Sequence, residues 1–249
     1  MLFVISSLIA FQVDATDGRM GTVSDFLFDD TDWQVRWLVV DTGDWLPGRK
    51  VLIHPASIAM KNFRHQIVGL TLTKAQIEAS PEIGQDEPLS QQFQLDLHRY
   101  YGIDPLLGGA GLSSGEAMVY PSPPPAAGPE TIRLIPPAQD PHLQSVDEVT
   151  GYHIHAEDGE IGHIQGFEVD EADWRIRYLI ADTSNWWPGK HVLIAPEAAR
   201  GIDCAARIVT VSLSRAQVKA SPKWDPLAVI EKDYQQRLHD HYGWPGYGW

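Results

Sequence analysis

Apolar and polar positions alternate over short runs through most of the chain. "WQVRWLVVDT" (33–42) and "WRIRYLIADT" (174–183) are dense in β-branched and aromatic residues, as strands are. "RKVLIHP" (49–55) and "KHVLIAP" (190–196) predict a further strand in each region, and "IVGLTLT" and "IVTVSLS" alternate in the next. Asp17-Gly18 and Asp158-Gly159 each stand between two β-capable runs, a short-range hairpin signal. Helical spacing enters only afterwards. Thr73 with Gln76, and Ser214 with Gln217, fit capping boxes that open short helices ended before Pro81 and Pro222. "SQQFQLDLHRYYG" and "EKDYQQRLHDHYG" place Phe93, Leu97 and Tyr100/Tyr101, or Tyr234, Leu238 and Tyr242, on one helical face, with Gly102 and Gly243 at the stop.

These elements come in pairs at a fixed spacing. "DTGDWLPGRKVLIHP" begins at Asp41 and "DTSNWWPGKHVLIAP" at Asp182, an offset of 141 positions. The offset also relates Asp17 to Asp158, Gly21 to Gly162, Trp33 to Trp174, Arg36 to Arg177 and Pro81 to Pro222, and it returns at "LHRYYG" and "LHDHYG". A duplication of one domain of about 100 residues follows, too long a period for a solenoid. Residues 1–102 are expected to form the first domain and residues 145–249 the second. Residues 103–144, rich in Gly, Ser and Pro, form a linker whose "TIRLIPP" offers a short edge strand. The predicted fold is mainly β: two small, mostly antiparallel barrels in tandem, each with a short C-terminal helical tail.

Composition narrows the function classes. The hydrophobic fraction of 43% is that of a globular protein. With 19 basic against 33 acidic side chains the net charge is −14, which disfavours nucleic acid and anionic membrane surfaces as partners. Cys204 is the only cysteine, so no intrachain disulfide forms, and a lone cysteine is ordinarily a small buried hydrophobe. "MLFVISSLIAF" lacks a basic n-region and is too short to span a bilayer, so a cytoplasmic protein without membrane insertion is expected.

The residues just quoted resemble the PRC-barrel family, named for the photosynthetic reaction centre. The resemblance rests on D-G-x-x-G-x-V/I, an acidic pair, W-x-V/I-R-x-L-V/I-x-D-T and W-x-P-G-R/K-x-V-L-I-x-P, over residues 6 to about 81 and 147 to about 222. It implies a docking or scaffolding module with no catalytic residues to carry over. Family members include the reaction-centre H subunit, whose N-terminal membrane helix has no counterpart in this sequence, and a maturation factor of the small ribosomal subunit. The first implies an alternative, a cytoplasmic-side accessory of a photosynthetic or electron-transport membrane complex in peripheral contact with the bilayer. The second implies a lesser one, an RNA-processing helper.

Candidate chemistry is sparse. No nucleophile or phosphate loop recurs, and around the repeated corner no histidine recurs in register, since His54 corresponds to Ala195 and His191 to Lys50. Asp41, Pro47 and Gly48, with Asp182, Pro188 and Gly189, are expected to be structural turn residues. Trp45-Leu46 and Trp186-Trp187 are candidate apolar anchors for a protein partner, or for self-association of the chain. Trp244, Tyr247 and Trp249 in the terminal "YGWPGYGW" are candidates of the same kind. His153, His155 and His163 surround the second hairpin, but solvated histidines are the expectation there. No enzyme activity, cofactor or metal is expected.

Overall fold

A computed structural model describes residues 1–81, 89–102, 140–184, 191–225 and 230–245. The segment 103–139, with most of the expected linker and "TIRLIPP", lies outside the described residues. The first half runs β1 (Leu2–Val4), β2 (Gln12–Ala15), β3 (Gly18–Asp29), β4 (Gln34–Asp41), β5 (Lys50–Ile53), β6 (Ile58–Asn62) and β7 (Ile67–Leu70), then α1 (Lys74–Glu78) and α2 (Gln91–Tyr101). The second half runs β8 (Leu143–Ser145), α3 (Val146–Val149), β9 (His153–Ala156), β10 (Gly159–Asp170), β11 (Ile176–Asp182), β12 (His191–Ile194), β13 (Ala199–Asp203) and β14 (Ile208–Val211), then α4 (Arg215–Ala220) and α5 (Lys232–Tyr242).

The class is mainly β, as the alternation predicts. Two seven-stranded sheets share one strand order: β5-β4-β3-β2-β7-β6, and β12-β11-β10-β9-β14-β13. Among the described residues all strand pairings are antiparallel except β2 with β7 and β9 with β14. Both capping boxes form, with Thr73 and Ser214 accepting from the backbone of Gln76 and Gln217. α2 and α5 end on Gly102 and Gly243 in the left-handed conformation.

The seventh strand of each sheet comes from the other half. β1 pairs with β10, Leu2 opposite Asp170 and Val4 opposite Glu168. β8 pairs with β3, Leu143 opposite Asp29 and Ser145 opposite Leu27. Every position in one set lies 141 residues from its counterpart, so the exchange is reciprocal and an approximate two-fold axis relates the halves. The axis passes the bridge between Gln34 and Arg175. There Val35 N donates to Trp174 O at 3.0 Å and Ile176 N donates to Trp33 O at 2.8 Å, again equivalent positions.

Burial follows from this exchange. A single apolar core runs through both sheets, with Phe28 and Phe167 packed at 5.4 Å between ring centroids and Phe26 stacked on Trp174 at 6.1 Å. α5 covers the outer face of the second sheet, where Tyr178, Ile180, Leu193 and Leu238 form a smaller cluster. Among the described residues no helix is long and apolar enough to cross a membrane.

Candidate functional site

The repeated corner is built from strand ends. After β4, Asp41 Oδ1 accepts from Gly43 N at 2.9 Å, closing an Asx turn of the kind expected for a short carboxylate at a strand end. The Thr42 hydroxyl lies 2.7 Å from the carbonyl oxygens of both Leu46 and Arg49 and ties the corner across its base. Arg49 N donates to Leu46 O at 3.0 Å, closing a turn with Pro47 and Gly48 at its centre. Gly48 has φ of 76°, the positive value that the third position of a type II turn requires. Arg49 then pins the turn to α1, its guanidinium donating to Glu78 O at 3.0 Å and Ser80 O at 2.7 Å.

The corner also explains an invariant of the repeat. A Cβ on Gly21 would sit 2.1 Å from Asp41 O, and one on Gly162 would sit 2.0 Å from Asp182 O. The chain crosses itself there with no space for a side chain. Asp182 Oδ1 repeats the Asx bond to Ser184 N at 2.8 Å. Trp186, Trp187, Pro188 and Gly189 lie outside the described residues.

Trp45 packs partly on the core and is half-buried, with the Lys74 ammonium 5.4 Å from its ring centroid. Leu46 is also half-buried, while Pro47 and Gly48 are exposed. The tip is therefore a small apolar surface on a braced turn. Trp244 is half-buried too, stacked on Tyr242 at 4.2 Å and edge-on to His239 at 5.8 Å. Tyr247 and Trp249 lie outside the described residues. Trp244 thus rests on the protein's own α5, which limits how much of its ring a partner can reach.

Three polar groupings stand out among the described residues, and the third touches the second corner through Asp182. In the first half, His54 and His98 pack beside Trp37, at 5.7 Å and 4.9 Å. His54 is buried, and burial, then His98 and Arg36, push its pKa down to about 3, so it is neutral. Its Nδ1 accepts from Ala56 N, capping a single 3-10 turn at Pro55–Ser57. In the second half the Tyr178 hydroxyl lies 2.9 Å from His239 Nε2, and His239 Nδ1 is 2.8 Å from Pro245 O. Donation from Nδ1 to that carbonyl leaves Nε2 to accept from the tyrosine. In the hairpin, His153 pairs with Glu160 at 2.7 Å, and His163 lies 3.8 Å from Asp182. Among the described residues no three metal-ligating side chains converge.

One feature departs from the sequence reading. Cys204, expected to be buried, is exposed, because the turn after β13 lifts it off the sheet to a point 3.0 Å from Gln144 Oε1. Arginines brace the acidic hairpin tips at 29–32 and 170–173. Arg36 reaches Asp32 at 2.6 Å and Asp29 at 3.4 Å, and Arg177 repeats this with Asp173 and Asp170 at 2.6 Å and 3.3 Å. Burial alone would raise the Asp29 pKa, but hydrogen bonds from Thr31 and the Arg36 guanidinium hold it below the usual range.

Residues 2–73 match the family model of the PRC-barrel domain. No curated protein matches the chain.

Proposed function

We propose that this chain, whose residues 2–73 match the PRC-barrel domain model, is a non-enzymatic docking and assembly module that recognises a protein partner through its barrel surface. The observation that carries the reading is the Trp45 corner. A half-buried Trp-Leu pair stands on a turn fixed by Thr42, Asp41 and Arg49, so it can meet a partner without first ordering a loop. Aromatic anchors on rigid turns suit protein recognition. The same corner sequence and the same strand order in the second half support a second barrel of this kind, which would give the module two related faces.

The test is affinity purification of the tagged full chain from its own cells beside a Trp45→Ala/Trp186→Ala double variant, with folding verified by thermal denaturation. Partners held by the parent protein and lost by the folded variant are expected. Identical partner sets from both proteins would mean that the tryptophans serve only to cover their sheets.

A further inference from the structure

Internal symmetry gives this protein two equivalent seats between its halves, and only one of them is filled. On one side of the two-fold axis Lys61, on β6, reaches across to the other half. Its ammonium lies 3.2 Å from Glu171 Oε1 and 4.9 Å from the ring centroid of Trp174, with Phe3 at 5.7 Å. The Lys61 side chain is only 8% exposed. An ammonium so buried needs the carboxylate and the aromatic faces that surround it.

On the other side, 141 positions away, Trp33 stands for Trp174, Asp30 for Glu171 and Gln144 for Phe3, but Ile202 stands for Lys61. Ile202 pairs with Val209 as Lys61 pairs with Val68, so the backbone register is unchanged and only the side chain is shortened and discharged. A cleft of about 420 Å³ remains, lined by Asp30, Trp33, His142, Arg200 and Ile202 among others. It shares Asp30 and Trp33 with an adjoining space of about 320 Å³ that reaches Asp32, Arg175 and Glu197. Trp33 and Trp174 both hold φ near +58° (58° and 57°), a left-handed conformation that is costly for a bulky residue, and Trp33, stacked on Phe28 at 5.5 Å, also lines the cleft.

We propose that this cleft binds an alkylammonium group, held by the Asp30 carboxylate and the face of Trp33 as Lys61 is held by Glu171 and Trp174. Asp30 presents a carboxylate only 14% exposed, at present bonded to the half-exposed His142 at 2.8 Å and to Gln144 at 3.3 Å. An incoming ammonium displaces the imidazole, which is free to turn outward. Arg200 also borders the cleft and Arg175 the adjoining space, and their equivalents, Ala59 and Gln34, are uncharged. They make a carboxylate the competing ligand class. The symmetry decides for the ammonium, because the filled seat already contains one on the same pair of groups. This site is separate from the Trp45 corner and does not rest on the docking reading.

The test is titration of the full chain with n-butylammonium chloride, read at the Trp33 indole N–H by NMR, with n-butanol and sodium butyrate at equal ionic strength as controls. One saturable site is expected for butylammonium, at least about tenfold tighter than for either control, as loss of a charged partner implies. Ile202→Lys should fill the cleft from within, abolish the titration and raise Tm. Lys61→Ile should open the second seat and add a site read at the Trp174 indole. A tripeptide, acetyl-Gly-Lys-Gly-amide, separates the two sources of the group. Binding by it assigns a lysine of a protein partner, and failure where butylammonium binds assigns a free amine. A Trp33 signal unmoved by butylammonium, tighter binding of butyrate, or binding undiminished in Ile202→Lys would overturn the proposal.

Discussion

Glu168 shows how one residue can separate two halves that share a fold. It occupies the position of Leu27, faces Val4 and Tyr178 across the second sheet, and is 4% exposed. Burial pushes its pKa from 4.5 up to about 7. A carboxyl whose folded pKa is raised favours the protonated fold, so no penalty exists below 4.5, and the loss is complete once pH exceeds about 7. The shift corresponds to about 3 kcal/mol at pH 8. His54 acts at the other limb. Its depressed value means that stability falls as pH drops below 6.5 toward 3, since only the unfolded chain takes up the proton. Glu168→Gln is therefore expected to raise the unfolding free energy at pH 8 by about 1–3 kcal/mol and to leave stability at pH 4.5 nearly unchanged. Urea titrations of both proteins across pH 4.5–8 measure this. Parallel curves would show that Glu168 is relieved by water or by local opening.

At the scale of elements, α1 and α4 are too short to hold themselves together and depend on their first turns. Each is capped twice. Thr73 and Gln76 form the local box, and Asp17, from the β2–β3 hairpin, accepts from Lys74 N at 2.8 Å. Asp158 repeats this with Arg215 N at 2.6 Å. The Asp of each Asp-Gly turn therefore serves the hairpin and the helix that packs across it. Thr73→Ala and Asp17→Ala should each cost about 1 kcal/mol in equilibrium denaturation, the ordinary worth of an N-terminal cap. Costs below a few tenths of that for Asp17→Ala would mean that its carboxylate is replaced by solvent without loss.

At the scale of the whole molecule, the reciprocal exchange of β1 and β8 makes the chain resemble a strand-swapped dimer joined into one polypeptide. Residues 1–102 on their own would have a β1 with no β10 to join and a β3 with no β8. Two copies can satisfy each other by exchanging β1. Sedimentation equilibrium should therefore find this fragment dimeric, and removal of residues 1–4 should weaken the dimer. A fragment that stays monomeric at high concentration would show that β1 folds back on its own sheet. In the intact chain, the same symmetry leaves one seat filled by Lys61 and the other open at Ile202.

Periodicity, turn residues and the 141-residue offset were sufficient for the β class, the hairpins at Asp17-Gly18 and Asp158-Gly159, both capping boxes and the glycine stops of α2 and α5. These are written locally, because alternation, φ preference and side-chain capping act within a few residues. The corner was legible in the same way, as Pro47-Gly48 dictates its turn. What Gly21 does for it was not, since its partner Asp41 is brought close only by the sheet. "LFV" at Leu2–Val4 reads as a strand, but nothing in those three residues states which sheet takes them. That choice depends on pairing with β10, more than 160 residues away, and on burying Phe28 against Phe167. Nor does an isoleucine at 202 announce a cleft. Only the tertiary structure, by setting it opposite Lys61 across a shared axis, turns the difference into a space beside Asp30 and Trp33, because a cavity is a property of what several distant segments leave unfilled.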